Sequence, residues 1–305
     1  MTKESPLKLH AGLMAKVAFA RNQNIATHAI ARYALSCLDL TSLNGNEDEA
    51  AIRNLCAKGM LYHVHSICIY PDKVEQVSKI LKDTKIVTAT VINFPTGLYR
   101  TNSDELATAE TTAEDISKAI GMGAGQVDIV YPYSVNRTEQ RYIHDILQSA
   151  RSACPPQVTL KVILETSAYD NTADLAYACK AALAAKVDSL KTSTGKHEEV
   201  GPSGKPEKRG ATLEAVAVML QEIEDNRKKT GRRVGIKITG GVSTTEDCAQ
   251  YVTLNKMMTK TEFPSGELFR FGGSNLLDKL IATINQLSSP VETPTSNLND
   301  PKNAY

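Results

Sequence analysis

The chain repeats one pattern eight times: a short run rich in Val, Ile, Thr and Tyr, then a longer amphipathic stretch. This alternation is typical of strand–helix units and predicts a parallel sheet. We expect strands near 34–41, 64–70, 85–93, 126–133, 157–166, 187–193, 233–239 and 268–273. We expect helices near 47–58, 72–83, 103–121, 138–153, 171–185, 211–229, 244–258 and 275–287. Eight units over roughly 250 residues predict an α/β fold of the closed (β/α)8 TIM-barrel type. An open, doubly wound sheet is the alternative.

Three segments depart from this alternation. Residues 7 to about 33 carry apolar residues at helical spacing, so we expect an N-terminal helical extension over residues 1–33, ahead of a barrel domain at 34–287. Residues 288–305 are rich in proline and polar residues, and we expect a mobile C-terminal tail. The stretch 197–210, after the sixth predicted strand, is a polar loop rich in Gly and Pro and longer than most connections.

The charge balance gives no support for a nucleic-acid partner or an anionic membrane surface, because 35 Lys and Arg face 34 Asp and Glu. The N-terminus lacks a signal-peptide pattern and no apolar run approaches the length of a membrane span, so we expect a cytoplasmic protein. The cysteines have no CxxC spacing, which indicates reduced, packed thiols. They are Cys37, Cys56, Cys68, Cys154, Cys179 and Cys248.

Two predicted strands each carry one central lysine and run into glycine. The first reads VDSLKTSTGK at 187–196, with Lys191, and the second VGIKITGG at 234–241, with Lys237. Two enclosed ammonium groups near one another disfavour double protonation, so one amine can be neutral and nucleophilic. Such an amine forms Schiff bases with carbonyl compounds. Lysines that face solvent are the alternative for each strand.

Period-two alternation indicates which side chains share a face of each strand. On this basis Asp128, Lys161, Lys191 and Lys237 point into one pocket. Three lysines and one aspartate inside an apolar wall require that charges are paired or that the amines are partly neutral.

The motifs KTSTGK at 191–196 and GIKITGGV at 235–242 resemble the signature pair of the deoxyribose-phosphate aldolase family, which are class I (Schiff-base) aldolases. Further motifs fall in that family's order, and the resemblance runs from about residue 38 to about residue 287. They are LDLTSLN at 38–44, ICIYP at 67–71, NFPTG at 93–97, VDIVYPY at 127–133, LKVILET at 160–166 and FRFGGS at 269–274.

The resemblance implies reversible cleavage of 2-deoxy-D-ribose 5-phosphate to D-glyceraldehyde 3-phosphate and acetaldehyde, in deoxyribonucleoside catabolism and without a cofactor. It implies that Lys191 forms the Schiff base, that Lys237 favours the neutral form of that amine, and that Asp128 transfers protons with it. Tyr305 corresponds to a C-terminal tyrosine that helps to protonate the enamine. The implied substrate-binding residues are Asp39, Thr41, Leu43, Cys68, Lys161 and Thr194.

Glycine-rich turns after the last three barrel strands are expected to bind phosphate, because glycine lets backbone N–H groups approach an anion closely. Barrels of this class usually hold phosphate after strands seven and eight, near a helix N-terminus. The expected phosphate-binding residues are Gly195, Lys196, Gly240, Gly241, Val242, Gly272, Ser274 and Asn275.

The chain departs from the family pattern at Ser243, where arginine is common, and at Ile238 and Thr239, where Pro and Ala are common. A serine offers a neutral hydrogen bond in place of a charged one. The cationic residues of the 197–210 loop are therefore candidates for binding phosphate instead, namely Lys205, Lys208 and Arg209.

Two alternatives to this function remain open on the sequence. One is a related Schiff-base aldolase that acts on another phosphorylated sugar or a keto-acid, and the other is a sugar-phosphate-binding barrel without catalysis. The partners implied are small phosphorylated sugars and aldehydes, and a homodimer is left open. His63 and His65 share a strand face but lack a third ligand, so no metal site is predicted.

Overall fold

The computed structural model describes residues 7–200, 206–208 and 210–288. Eight of its strands are β1 (Leu38–Thr41), β2 (Ser66–Ile69), β3 (Val87–Ile92), β4 (Gln126–Val130), β5 (Thr159–Ile163), β6 (Ser189–Lys191), β9 (Gly235–Thr239) and β10 (Phe269–Gly273). They form a closed, parallel barrel in the order β1-β10-β9-β6-β5-β4-β3-β2. The closed order confirms the predicted TIM barrel and excludes the open sheet.

Helices connect these strands around the outside of the barrel, which is why neighbouring strands are parallel. They are α1 (Ala11–Arg21), α2 (His28–Ser36), α3 (Glu49–Tyr62), α4 (Val74–Leu81), α5 (Ala109–Gly121), α6 (Gln140–Ala153), α7 (Thr172–Ala184), α8 (Leu213–Thr230), α9 (Thr245–Thr259) and α10 (Leu276–Ser288). Several begin at a side chain that accepts a hydrogen bond from the first turn. Thr108 and Thr244 each form a capping box, at the starts of α5 and α9.

The N-terminal extension consists of two helices. α1 packs against α8 and α9, and α2 packs against α9 and α10. The Thr27 side chain caps α2 by accepting from the Ile30 amide, and this helix continues through Ser36. β1 therefore begins at Leu38, and the prediction of a strand from residue 34 is wrong.

Two other predicted boundaries are also wrong. The helix predicted from residue 103 begins at Ala109, because Thr108 caps it and the preceding chain forms a bridge between Tyr99 and Leu106. The stretch 197–210, predicted as a loop, contains a short antiparallel pair of strands, β7 (Glu198–Val200) and β8 (Pro206–Lys208).

The barrel interior is divided between an apolar part and a charged part. The apolar part consists of Leu43, Cys68, Ala89, Val91, Phe94, Val130 and Ile163. A larger apolar core lies between the barrel and its helices. Buried charged side chains occupy other inward positions, on β1, β4, β5, β6, β9 and β10.

All six cysteines are buried and unpaired. Within the described ranges, none of the helices combines the length and the apolarity needed to cross a bilayer.

Candidate active site

A cavity of about 440 Å³ opens where β1, β6, β9 and β10 end. The carboxyl ends of the strands are where TIM barrels place their active sites. Residues of the strand ends and of the following turns line it. They are Thr41, Leu43, Asn44, Lys191, Thr194, Gly195, Lys196, Thr239, Gly240, Gly241, Val242, Ser243, Gly272, Gly273, Ser274, Asn275 and Leu276.

Lys191 and Lys237 meet at one carboxylate oxygen below this cavity. The Nζ atoms of the two lysines lie 3.0 Å and 2.9 Å from Oδ2 of Asp128. The pairing of β6 with β9 sets Lys191 beside Lys237 in register, so both side chains leave their strands at the same height. The carboxylate is thereby shared between two amines.

Lys161 contacts the other oxygen of the same carboxylate. Its Nζ lies 2.8 Å from Oδ1 of Asp128 and 2.6 Å from Oε1 of Gln126. The register of β4 and β5 pairs Asp128 with Lys161 and accounts for this contact. The structure thus brings together the four side chains that strand alternation assigns to one pocket.

A second carboxylate, Asp39, lies on the far side of Lys237. Its Oδ2 is 2.5 Å from Nζ of Lys237 and its Oδ1 is 2.7 Å from Nη1 of Arg270. Lys161 lies 4.0 Å from Oδ2 of Asp39 and so approaches both carboxylates. None of these charged side chains is more than 4% exposed.

The charges of this cluster shift the pKa of its members in opposite directions. Burial disfavours ionised Asp39 and Asp128, but the adjacent cations outweigh burial and lower the pKa of both carboxyls. Burial also opposes the charged form of Lys237, yet Asp128 and Asp39 raise its pKa. Burial lowers the pKa of Lys161, and Asp128 opposes this only in part. Lys237 therefore stays protonated between the two carboxylates.

Gly272 makes room for the side chain of Lys237. A Cβ atom at this position would lie 2.3 Å from Cγ2 of Thr239 and 3.0 Å from Cε of Lys237. Both distances are too short for carbon atoms in contact. The absence of a side chain at Gly272 is therefore a condition for the observed position of Lys237.

A buried glutamate supports the turn after β6. Glu165 accepts hydrogen bonds from the Thr194 amide (3.0 Å) and the Thr194 hydroxyl. The same hydroxyl oxygen accepts from the Lys196 amide at 3.0 Å. Burial raises the pKa of Glu165. Glu165 fixes a turn that lines the cavity without lining the cavity itself.

The other end of the cavity is formed by glycines and two helix N-termini. Gly240 and Gly241 have φ angles of +76° and +77°, a region that favours glycine. The turn at Gly240 and Gly241 leads into α9, and the turn after β10 leads into α10. The N-termini of these helices favour anions. The Ser243 amide and hydroxyl bond Oδ2 of Asp247, at 2.9 and 3.3 Å, so this serine helps to form the helix start.

The predicted site residues fall into two groups. All eight predicted phosphate-binding residues line the cavity, as do Thr41, Leu43, Thr194 and Lys191. The others are fully buried and lie outside the lining, deeper along the strands. They are Asp39, Cys68, Asp128, Lys161 and Lys237.

Some predicted residues lie outside the described part of the chain. These are Tyr305, Lys205 and Arg209, and Lys208 is described only as part of β8. The structure adds residues that the sequence reasoning missed: Arg270 and Glu165 in supporting positions, and Asn44 at the cavity. The same alternation that selects Gly272 on β10 also selects Arg270, so a signal for Arg270 was present.

Comparisons of the chain with protein-family models and with curated proteins both find aldolases. A family model described as DeoC/LacD family aldolase matches residues 33–261. A curated deoxyribose-phosphate aldolase from Agrobacterium fabrum is 36% identical over 255 residues, which cover 82% of this chain and 90% of that protein.

Solved structures share the fold at lower identity. One from Toxoplasma gondii ME49 has a TM-score of 0.72 at 20% identity, covering 86% of this chain and 96% of its own. The tetrameric deoxyribose phosphate aldolase from Aeropyrum pernix has a TM-score of 0.65 at 19% identity, with coverages of 86% and 96%. The family model and the 36% identical relative together establish that this chain is a lyase of the DeoC/LacD aldolase family.

Proposed function

We propose that the chain is a class I aldolase that cleaves 2-deoxy-D-ribose 5-phosphate reversibly to D-glyceraldehyde 3-phosphate and acetaldehyde through a Schiff base on Lys191. The observation that carries this proposal is the position of Lys191. Among the described cavity-lining residues it is the member contributed by the buried cluster, and its amine lies 3.0 Å from Asp128. The name of the Agrobacterium relative supports the choice of substrate.

The reaction begins when the unprotonated Lys191 amine adds to C1 of the open-chain sugar. Loss of water from the carbinolamine gives an iminium ion. A base removes the proton of the C3 hydroxyl, the electron pair of the O–H bond forms the C3=O carbonyl, and the C2–C3 bond breaks. Its electron pair moves into the C1–C2 bond as an enamine and neutralises the iminium nitrogen. Glyceraldehyde 3-phosphate leaves at this stage.

Protonation of the enamine at C2 and addition of water then release acetaldehyde and the free amine. We assign the proton transfers to Asp128, acting through a water, while Lys237, which keeps its proton beside two carboxylates, holds Asp128 by a hydrogen bond. Asp39 and Lys161 hold this pair in place from below. Tyr305, at the C-terminus, is proposed to assist the protonation of the enamine.

The phosphate is proposed to bind at the glycine turns that precede α9 and α10. Gly240, Gly241, Gly272 and Ser274 lie there, and Lys196 adds a positive charge across the cavity. Thr41, Leu43 and Thr194 are proposed to contact the sugar chain between the amine and the phosphate. Cys68 belongs to the apolar wall of the barrel below them.

The test is to trap the Schiff base with acetaldehyde and borohydride, and to map the modified peptide by mass spectrometry. Addition, loss of water and hydride transfer to the C=N bond leave an N-ethyl group on the reacting lysine. We expect this group on Lys191 in the wild type and no adduct in Lys191→Met. Lys196→Met is the matched control, because Lys196 lines the same cavity. An adduct on Lys237 or Lys196 with none on Lys191 would contradict the assignment.

Substrate choice is tested separately by measuring kcat/KM. Deoxyribose 5-phosphate is compared with other phosphorylated sugars and with 2-keto-acids. A higher kcat/KM for a keto-acid or another sugar phosphate would favour the related Schiff-base aldolase.

The cell compartment and the assembly are part of the same proposal. We place the reaction in the cytoplasm, in the catabolism of deoxyribonucleosides. A homodimer is proposed for the chain, and the Aeropyrum protein is described as a tetramer. Light scattering on the eluted protein would give the mass of the assembly, and a monomer at micromolar concentration would contradict the proposed dimer.

A further inference from the structure

Arg270 is the member of the buried cluster that cannot give up its charge. Its guanidinium is 4% exposed and donates to Oδ1 of Asp39 at 2.7 Å. An arginine remains protonated in proteins at any ordinary pH, whereas a buried lysine can lose its proton. The positive charge at this position in the barrel is therefore permanent.

The two carboxylates cannot balance all the cations around them. Four cationic side chains, Arg270 and three lysines, face Asp39 and Asp128, so full ionisation would leave two positive charges uncompensated. An uncompensated charge in a dry interior is strongly unfavourable. Loss of a proton from a lysine relieves this imbalance, and Arg270 cannot contribute to the relief.

The four cations are distributed unevenly over the oxygens of the two carboxylates. Arg270 occupies Oδ1 of Asp39, and Lys237 occupies Oδ2 of the same residue at 2.5 Å. Asp128 is left to Lys161 on Oδ1, and to Lys191 and Lys237 on Oδ2. Were Arg270 absent, Oδ1 of Asp39 would be free to compensate a lysine.

We propose that Arg270 is a positioning residue of this aldolase: as a permanent cation it pairs with one carboxylate oxygen of Asp39, and so keeps one lysine of the cluster unprotonated in the resting enzyme. The proposal deepens the Schiff-base function and rests on it. Asp128 contacts Lys161 and Lys191 through its two oxygens, so a proton can pass between these two amines. The unprotonated amine is thereby made available to the cavity.

The other groups that face Arg270 agree with this role. Lys237 on β9 is its partner in the strand register, and Asp39 on β1 is its counter-ion. Burial lowers the pKa of His65 to about 4, and burial raises the pKa of Cys37, so both are neutral near pH 7. Lys161 on β5 has its pKa lowered by burial, and Arg270 adds to that effect. Asp39 is thus the negative group next to Arg270 among the described residues.

The test is the pH dependence of N-ethylation of Lys191 by acetaldehyde and cyanoborohydride, followed by peptide mass spectrometry. Removing a positive charge raises the pKa of neighbouring amines. For Arg270→Gln we therefore expect the midpoint of the profile to move up by about one pH unit, which lowers the rate about tenfold at any pH well below both midpoints, since one unit of pKa is a tenfold change. Arg270→Lys replaces the permanent cation by one that can itself lose a proton, so its midpoint should lie between those of the wild type and Arg270→Gln. A midpoint in Arg270→Gln equal to that of the wild type would overturn the proposal.

A second variant, expected to shift the midpoint in the opposite direction, provides the test if Arg270→Gln does not fold, which circular dichroism would reveal. Asp39→Asn removes a negative charge, so the midpoint should move to lower pH. An unchanged midpoint, or one at higher pH, would also overturn the proposal. The measurement on the wild type distinguishes failure of the Schiff-base function from failure of the role proposed for Arg270. If no adduct forms on Lys191 at any pH, the Schiff-base function fails, whereas normal trapping with unmoved midpoints contradicts only the role of Arg270.

Discussion

The Nζ atom of Lys237 lies 2.9 Å from Oδ2 of Asp128, with both side chains fully buried. On the other side of the ammonium, Asp39 approaches to 2.5 Å. A lysine between two carboxylates in a dry interior keeps its proton. Lys237 is therefore suited to act as a fixed cation that positions Asp128, while Lys191 reaches the cavity, where an amine can meet a carbonyl compound.

Replacement of Lys237 by methionine is expected to lower kcat by about 10²-fold or more, since positioned acids and bases contribute about 10² to 10⁴. Removing one partner of a buried ion pair also costs about 3 to 5 kcal/mol of unfolding free energy. Steady-state kinetics and urea unfolding would measure the two effects. Lys180→Met is the control, because that side chain is 65% exposed and lies on the surface. A kcat within threefold of the wild type would contradict the assigned role.

Gly272→Ala is expected to displace Lys237, because the new methyl group would lie 3.0 Å from Cε of that lysine. Forcing an extra methyl group into a packed site costs about 1 to 3 kcal/mol. We expect a lower free energy of unfolding. We also expect kcat to fall by more than the unfolded fraction of the protein accounts for. Gly121→Ala, at the end of α5, is the matched control, since a Cβ there meets nothing within 4 Å. Equal effects of the two substitutions on kcat would contradict the prediction.

Glu165→Gln is expected to weaken binding at the proposed phosphate-binding side of the cavity, which the turn after β6 lines. A neutral amide oxygen accepts the two hydrogen bonds from Thr194 more weakly than a carboxylate oxygen does. Hydrogen bonds to charged groups contribute about 1.5 to 3 kcal/mol. KM for deoxyribose 5-phosphate should therefore rise by about tenfold or more, while kcat/KM for unphosphorylated deoxyribose changes little. Glu139→Gln, at an exposed position, is the control. Equal losses for both substrates would indicate a general structural role for Glu165.

The stability of the protein should fall with acidification between about pH 6.5 and about pH 4 because of His65. Burial lowers its pKa to about 4, whereas an unfolded histidine titrates near about 6.5. In this window the unfolded chain binds the proton that the folded protein does not, so its stabilising effect is complete above about pH 6.5 and is lost on the way to about pH 4. Urea unfolding at several pH values should show a weaker pH dependence in His65→Gln. The exposed His144→Gln should retain the wild-type dependence, and an unaltered slope in His65→Gln would refute the assignment.

Deletion of Tyr305 tests the proposed role of the C-terminus in protonating the enamine. We expect a lower kcat for cleavage, because general acid catalysis contributes about 10² or more. Trapping of acetaldehyde on Lys191 should be retained, since free acetaldehyde forms the imine directly and does not pass through the enamine. Tyr305→Phe is the matched variant and should behave like the deletion. Unchanged turnover in both would remove Tyr305 from the mechanism.

The sequence predicted most of the barrel because its strands keep period-two alternation in short, buried runs. That regularity correctly grouped Asp128, Lys161, Lys191 and Lys237, which belong to strands that are neighbours in space or nearly so. The pairing of Asp39 with Arg270 was not predicted. It depends on β1 joining β10, the step that closes the barrel, and residues 231 positions apart give no local signal of that contact.

Local boundaries failed where tertiary context or capping outweighed composition. The residues before Leu38 include apolar side chains that fit a strand, yet Thr27 starts a helix that continues to Ser36. In the 197–210 segment the Gly and Pro content indicated a loop, while Glu198 and Lys208 pair across two short strands. Propensity alone does not resolve elements of only three residues.

The six ionisable side chains of the cluster come from six different strands, between Asp39 near the start of the chain and Arg270 near its end. No contiguous fragment that lacks either end can therefore assemble the complete cluster. Folding must bring distant parts of the chain together before any of this electrostatic arrangement exists, which is a slow, high-contact-order process. Recovery of turnover after dilution from urea would consequently report the final closure of the polypeptide, and should lag behind the return of helical signal.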